Sequence, residues 1–299
     1  MEQTHSFNLV TGVPATIIGM TGKHRKILTQ QQGKSFDKRL LSLLMDVTKT
    51  VGGVDVESMK ESEKEEFFKS MFSADRKKLL TELRMYTYDF EPEFVFVHEY
   101  IGMDGATHSV EHTEDLSNGF PEQPFYEPDW HTICTMSYRQ ILALTPATKE
   151  SKEDDAPLIM QPISCANYDE VRKYQYMYCY LPKTKRYIRM RRLDGIGEAI
   201  GNAANKADRD MNLAILMRTP CYIDSLENPG TPITLTRRNI EDMPVSDLDT
   251  MQAVITMFEG NIHTECMFEI PEDKPAADLG RTVVIDLLAQ EHFFFPASR

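Results

Sequence analysis

The sequence predicts an α+β fold made of two tandem repeats of one unit, each with an opening β-hairpin, several helices and a closing β-hairpin. Three observations predict it. The chain matches itself over long ungapped stretches. Each half passes through strand-like and helix-like periodicities in the same order. Apolar residues, at 41% of the chain with 9% aromatic, suffice for packed cores, and 299 residues suit two compact domains. The boundaries read as residues 1–121 for the first repeat, 122–170 for an irregular connector and 171–299 for the second repeat.

A shift of 172 places Asp75 on Asp247, Leu79 on Met251, Leu83 on Ile255, Tyr86 on Phe258 and Phe96 on Phe268. A shift of 173 places Met20, Gly22 and Ile27 on Leu193, Gly195 and Ile200, and one of 175 places Val110, Phe120 and Pro121 on Ile285, Phe295 and Pro296. The matched positions keep apolar character rather than identity, as expected of one core maintained by two drifting copies.

Taken in order, Phe7 to Met20 and Tyr174 to Leu193 read as hairpins, the second turning at Pro182-Lys-Thr-Lys185. Gly22 and Gly195 each open a helix. Ser35 precedes a periodic stretch, Leu40, Leu41, Leu44 and Val47, expected to end at Gly52-Gly53. Ser58-x-x-Glu61 and Ser246-x-x-Asp249 have the spacing of capping boxes. Met251, Val254, Ile255 and Phe258 share one helix face that stops at Gly260. Strand-like runs follow from Phe94, Glu265 and Arg281. In the connector, residues 145–158 are charged and Pro-containing, the composition of an acidic linker.

Composition narrows the function classes. Thirty-three basic against 46 acidic side chains give a net charge of −13, which repels phosphate backbones and argues against nucleic acid. Five dispersed cysteines lack a disulfide spacing, which points to assembly in a reducing, intracellular setting. No run approaches the roughly 20 apolar residues of a membrane span.

The chemical motifs are fragmentary. Gly19-x-x-Gly22-Lys23 is two residues short of a phosphate-binding loop and lacks its Ser or Thr. Gly195-x-Gly197 has Ile200 where a dinucleotide fingerprint needs its third glycine, so a turn glycine is the better reading. His131-x-x-Cys134 and His263-x-x-Cys266 supply two imidazoles and two thiols, the only candidate zinc quartet, set against a default of structural cysteines and no cofactor. The first repeat has Glu91 and Phe94 where the second has His263 and Cys266, so a shared metal function is excluded. Trp130, Phe293 and Phe294 are candidate interface residues: if the segment is a strand, two adjacent aromatics face opposite sides and one is exposed, although burial in the core is the commoner fate of such apolar residues. No catalytic triad, nucleophile elbow or HExxH helix appears.

The second repeat carries Arg191-x-Leu193-x-Gly195, then Ile240-x-x-Met243-Pro244-x-x-Asp247, then Glu259-Gly260 and an aromatic closing strand. This order resembles the baseplate-hub and tail-assembly proteins of contractile-tailed phages of the T-even and Mu-like kinds, over most of residues 175–296 and more weakly over 7–121. The resemblance implies a non-enzymatic structural or assembly protein of the tail baseplate, made in the host cytoplasm and acting through other tail proteins, with no small-molecule substrate. Members of that family often have a Cys-x-x-Cys near the closing hairpin, where this chain has only Cys266. Two other classes stay open from the residues alone: an intracellular adaptor or scaffold, and an enzyme with a dispersed site.

Overall fold

The computed structural model describes residues 3–30, 35–102, 104–144, 160–203, 211–270 and 282–295. The expected acidic linker at 145–158 lies outside them. The opening hairpin pairs β1 (Thr4–Asn8) with β2 (Pro14–Ile18), and Gly12 adopts φ +84° in its turn. Helices α1 (Gly22–Gln30) and α2 (Phe36–Val47) follow, and then β3 (Thr48–Val51) and β4 (Val54–Asp55) complete a four-stranded antiparallel sheet in the order β1-β2-β3-β4. Ser35 sits at the α2 N-cap position without a side-chain cap bond, and the helix stops at Val47 rather than at Gly52-Gly53. Residues from Thr48 onward pair instead with β2. The two glycines, at φ +58° and +81°, form the β3–β4 turn, whose left-handed central positions suit glycine.

Next come α3 (Glu61–Ser70) and α4 (Ser73–Thr87), then the closing hairpin of β5 (Glu93–Ile101) and β6 (Thr107–Asp115). The Ser58 capping box does not form. Ser58 Oγ donates to Asp55 O, and Glu63 accepts from Lys60 N at 3.0 Å to close the start of α3.

The described residues of the connector form short elements where an irregular segment was expected. Its described part holds β7 (Glu122–Gln123), β8 (Tyr126–Pro128), α5 (Trp130–Ile133), α6 (Tyr138–Leu142), β9 (Met160–Pro162) and α7 (Tyr168–Val171). Side-chain caps define its three short helices: Asp129 accepts from His131 N, Ser137 from Gln140 N and Asn167 from Glu170 N.

The second half runs through β10 (Tyr176–Leu181), β11 (Arg186–Arg191), α8 (Gly195–Ala203), α9 (Met211–Leu216), β12 (Cys221–Ile223) and β13 (Ile233–Thr234), with the sheet order β10-β11-β12-β13. There follow α10 (Arg237–Glu241), α11 (Val245–Phe258), the short β14 (Asn261–Ile262), the hairpin β15 (Glu265–Glu269) and β16 (Thr282–Asp286), and α12 (Glu291–Phe294). Apart from β14, the order ββααββααββ occurs in both halves. The α1/α8 starts, Gly22 and Gly195, and the α4/α11 starts, Ser73 and Val245, keep the offsets of 173 and 172 found in the sequence. The closing hairpins differ from expectation. Glu93 pairs with Asp115 and Glu265 with Asp286, so their second strands correspond at a shift of 171 rather than 175. Ser246 lies inside the first turn of α11, whose N-cap position is Pro244.

Two hydrophobic cores form, and neither belongs to one half. The first gathers Ile17, Leu43, Phe68, Leu83 and Phe94 together with Cys266, Phe268, Leu287, Leu288, Phe293 and Phe294 from the far end of the chain. The second gathers Met177, Ile188, Met251 and Phe258 together with Tyr126, Ile133, Ile141 and Met160 of the connector. The first core is thus completed by the C-terminal part of the second half and the second core by the connector, and β7 pairs with β14 to join them. Among the described residues no helix is long and apolar enough to cross a membrane.

Candidate functional site

Alternation along a strand turns every second residue to one face. On β5 and β6 this puts Phe94, Phe96, Tyr100, His112 and Glu114 inward, and on β15 it puts Cys266 and Phe268 inward. The two closing hairpins stack by these faces. The Phe268 ring lies 4.9 Å from His112 in a stacked arrangement and 5.5 Å from Phe96 edge to face. Their other faces leave apolar side chains in water. Met267, 69% exposed, pairs with Val284, 55% exposed, across β15–β16, and Val97 and Ile101 protrude from β5. Glu265 and Glu269 flank Met267, and Glu99 lies between Val97 and Ile101.

Between the stacked faces, donor atoms of His112, Glu114 and Cys266 all lie within 4.8 Å of one another. His112 Nε2 is 3.2 Å from Glu114 Oε2. Cys266 is buried, whereas about a quarter of the His112 side chain and a third of the Glu114 side chain remain accessible. Burial first, and then the Glu114 carboxylate, push the Cys266 thiol up to about 11.

A second feature is the seam between the halves, a groove of about 470 Å³ whose apolar wall includes Leu40, Leu44, Leu80 and Leu213. One ion pair crosses it. Arg76 pairs with Glu198, Ser73 Oγ donates to the same carboxylate, and Ser73 N donates to Leu193 O at 2.8 Å. Asp286, also at the groove, accepts from Thr264 Oγ1 at 2.7 Å and Leu288 N at 3.1 Å. These contacts join α4 to the start of α8.

A carboxyl with a raised pKa lies elsewhere. Asp75, fully buried on α4, accepts from Thr11 N at 3.0 Å, Thr11 Oγ1 at 2.7 Å and the Tyr168 hydroxyl at 2.6 Å. Burial raises it to about 6 against the opposing pull of these hydrogen bonds. Asp247, equally buried on α11, accepts from Lys183 N and Thr184 N, both at 2.9 Å, and from Thr184 Oγ1 at 2.5 Å. Each aspartate ties a long helix to the turn of its own opening hairpin, a structural task. The other residues of the quoted pattern are structural too. Arg191 pairs with Asp194, while Glu259 pairs with Arg218 and accepts from Leu193 N. A Cβ on Gly197 would collide with the Met217 carbonyl, so close packing of α8 on the end of α9 requires this glycine. Lys23 pairs with Asp46 at 2.8 Å rather than facing a phosphate cradle.

The structure does not assemble the His131, Cys134, His263, Cys266 quartet. His131 lies 3.4 Å from Glu227, Cys134 lines a groove beside the β10–β11 hairpin, His263 N donates to Pro121 O, and Cys266 faces His112 and Glu114. Phe293 and Phe294 are not an outward surface. Their segment is helical, and both rings are fully buried in the first core, where Arg84 Nε donates to Phe293 O and the Tyr88 hydroxyl to Phe294 O, each at 2.7 Å. Trp130 is half-buried against Phe258 and Tyr178 and donates to Glu127 at 2.7 Å. Sequence reading missed His112 and Glu114. The inward alternation His108, Val110, His112, Glu114 was the available signal. Comparison with family models, curated proteins and solved structures finds no match for this chain.

Proposed function

We propose that this chain is a non-enzymatic structural or assembly component of a contractile phage tail baseplate, in its hub region, that works by docking other tail proteins. The observation that carries this reading is the outward face of the stacked closing hairpins, where Met267 and Val284 sit side by side in solvent and Val97 and Ile101 make a second strip. Strand faces that keep large apolar side chains in water beside acidic neighbours have the character of an interaction surface. The setting comes from the resemblance in residues 175–296. We read the halves as diverged copies. The recurrent element order and the paired aspartate tethers support that reading, and a fused pair offers two pseudo-equivalent docking faces. Synthesis in the host cytoplasm and residence in the tail baseplate belong to the same proposal.

The test is size-exclusion chromatography with light scattering on the full chain, alone and mixed with the tail proteins of its source. The expected result is a stable complex with hub or tube subunits that Met267→Lys together with Val284→Lys abolishes while circular dichroism stays unchanged. A chain that binds none of them overturns the phage reading. A complex insensitive to the double substitution moves the docking face elsewhere.

A further inference from the structure

The geometry points to a zinc-class divalent metal site made by His112, Glu114 and Cys266, one per chain, clamping the closing hairpin of the first half to that of the second. It does not depend on the docking reading. His112 and Glu114, two apart on β6, project from the same face, and Cys266 meets them from β15, so the donors come from two separate ladders. Both ladders are registered through these positions: His112 pairs with Phe96, Glu114 with Phe94 and Cys266 with Ile285. Only small side-chain rotations are then needed to close the site.

The donor chemistry selects the ion. One imidazole, one carboxylate and one thiol form a mixed N/O/S set that suits zinc, whereas calcium and magnesium take oxygen ligands. Donors around a tetrahedral zinc at about 2.0–2.3 Å lie roughly 3.3–3.8 Å apart. The present spread of up to 4.8 Å therefore asks for a contraction of about an ångström. Three protein donors leave a fourth position, and the partial exposure of His112 and Glu114 gives a hydrated ion its approach. A carboxylate beside a buried thiol is an unfavourable pair when both are anionic. A bound cation converts that repulsion into ligation and releases the thiol proton to solvent. Phe94 stands in the first half where Cys266 stands in the second, at the same ladder position, so the site does not recur by the symmetry of the halves.

The experiment uses the full chain stripped with a chelator and titrated with Co²⁺ as the spectroscopic probe. Saturation at one equivalent is expected, with thiolate-to-cobalt charge-transfer absorption and the intense visible bands of a four-coordinate ion, displaced by Zn²⁺. Cys266→Ser should remove the charge-transfer band. His112→Gln, with circular dichroism confirming the fold, should weaken affinity tenfold or more. Absence of the band in the parent protein at one equivalent overturns the proposal. So does a band that survives Cys266→Ser, or an affinity unchanged in His112→Gln, which decides the matter should the serine variant fail to fold.

Discussion

Asp75 on α4 and Asp247 on α11 occupy the same place in the two halves, both fully buried and both gripping the turn of an opening hairpin. In the first half Thr11 supplies one backbone N–H and one hydroxyl, and the remaining donor, Tyr168, arrives from the connector. In the second half the hairpin turn supplies all three hydrogen bonds through Lys183 and Thr184. Tyr168 also accepts from Phe72 N at 3.2 Å, so the connector is part of the interior of the first half. The first half borrows its last donor and, through Phe293 and Phe294, part of its core. The second half holds its own tether and borrows apolar cover from the connector. Neither half is therefore expected to fold as an independent domain, and unfolding should be one cooperative event.

The largest effect should come from removing what the first half borrows. Phe293→Ala leaves a cavity in a fully buried site and should cost about 3–5 kcal/mol. Trp130→Ala, at a half-buried position on the second core, should cost about 2 kcal/mol or less. Urea unfolding followed by tryptophan fluorescence for the first variant, and by circular dichroism for both, measures them. Comparable costs would break the asymmetry drawn here. Two separate transitions in the parent protein would break the single-body picture.

The aspartates come next, and pH separates them. The folded pKa of Asp75, about 6, lies above its model-peptide value of 3.8, so its protonated form is favoured by folding. Its contribution to stability is fully present below about pH 4 and is lost as pH rises through about 6, a change on the order of 3 kcal/mol. Asp75→Asn should flatten this part of the stability profile between pH 4 and 7. Asp247→Asn serves as the comparison for a lost acceptor, with a cost of about 1–3 kcal/mol at pH 7. Denaturation midpoints at successive pH values test both, and an Asp75→Asn profile that still falls across this window would sink the assignment.

Tyr168→Phe sharpens the comparison further. It removes the one donor that has no counterpart in the second half, at a cost of about 1–2 kcal/mol. Because that hydrogen bond lowers the Asp75 pKa, its loss should move the pH-dependent window upward. A window that stays in place would mean that the Tyr168 hydroxyl does not bear on Asp75 in solution.

The parts legible in the sequence were those with local causes. The hairpins announced themselves through turn residues and alternation, and Gly22 and Gly195 marked helix starts that the structure keeps. The connector helices span only four or five residues, too few for a periodicity, although Asp129, Ser137 and Asn167 were readable as caps. A strand through Phe293 and Phe294 would leave one of them exposed, but the segment is helical and buries both. Their burial is decided by α4, far away in the chain. The cluster of His112, Glu114 and Cys266 is likewise a product of hairpin stacking, and the Cys-containing motifs near His131 and His263 drew the eye to donors that the fold keeps apart.

The smallest expected effect concerns the seam. Arg76 and Glu198 join α4 to α8, with side chains 13% and 33% exposed, so solvent screens much of their attraction. Glu198→Gln keeps an acceptor for Ser73 Oγ and should cost about 1 kcal/mol or less, a penalty that shrinks further in about 0.5 M salt. The isolated bridge between Phe72 and Asp194 and the Ser73 N–H bond to Leu193 O would still hold the halves in place. A salt-independent loss above about 3 kcal/mol would instead mark a desolvated ion pair. The seam would then be held chiefly by charge, and the contrast between a self-contained second tether and a borrowed first one would matter less to cooperativity than this single contact.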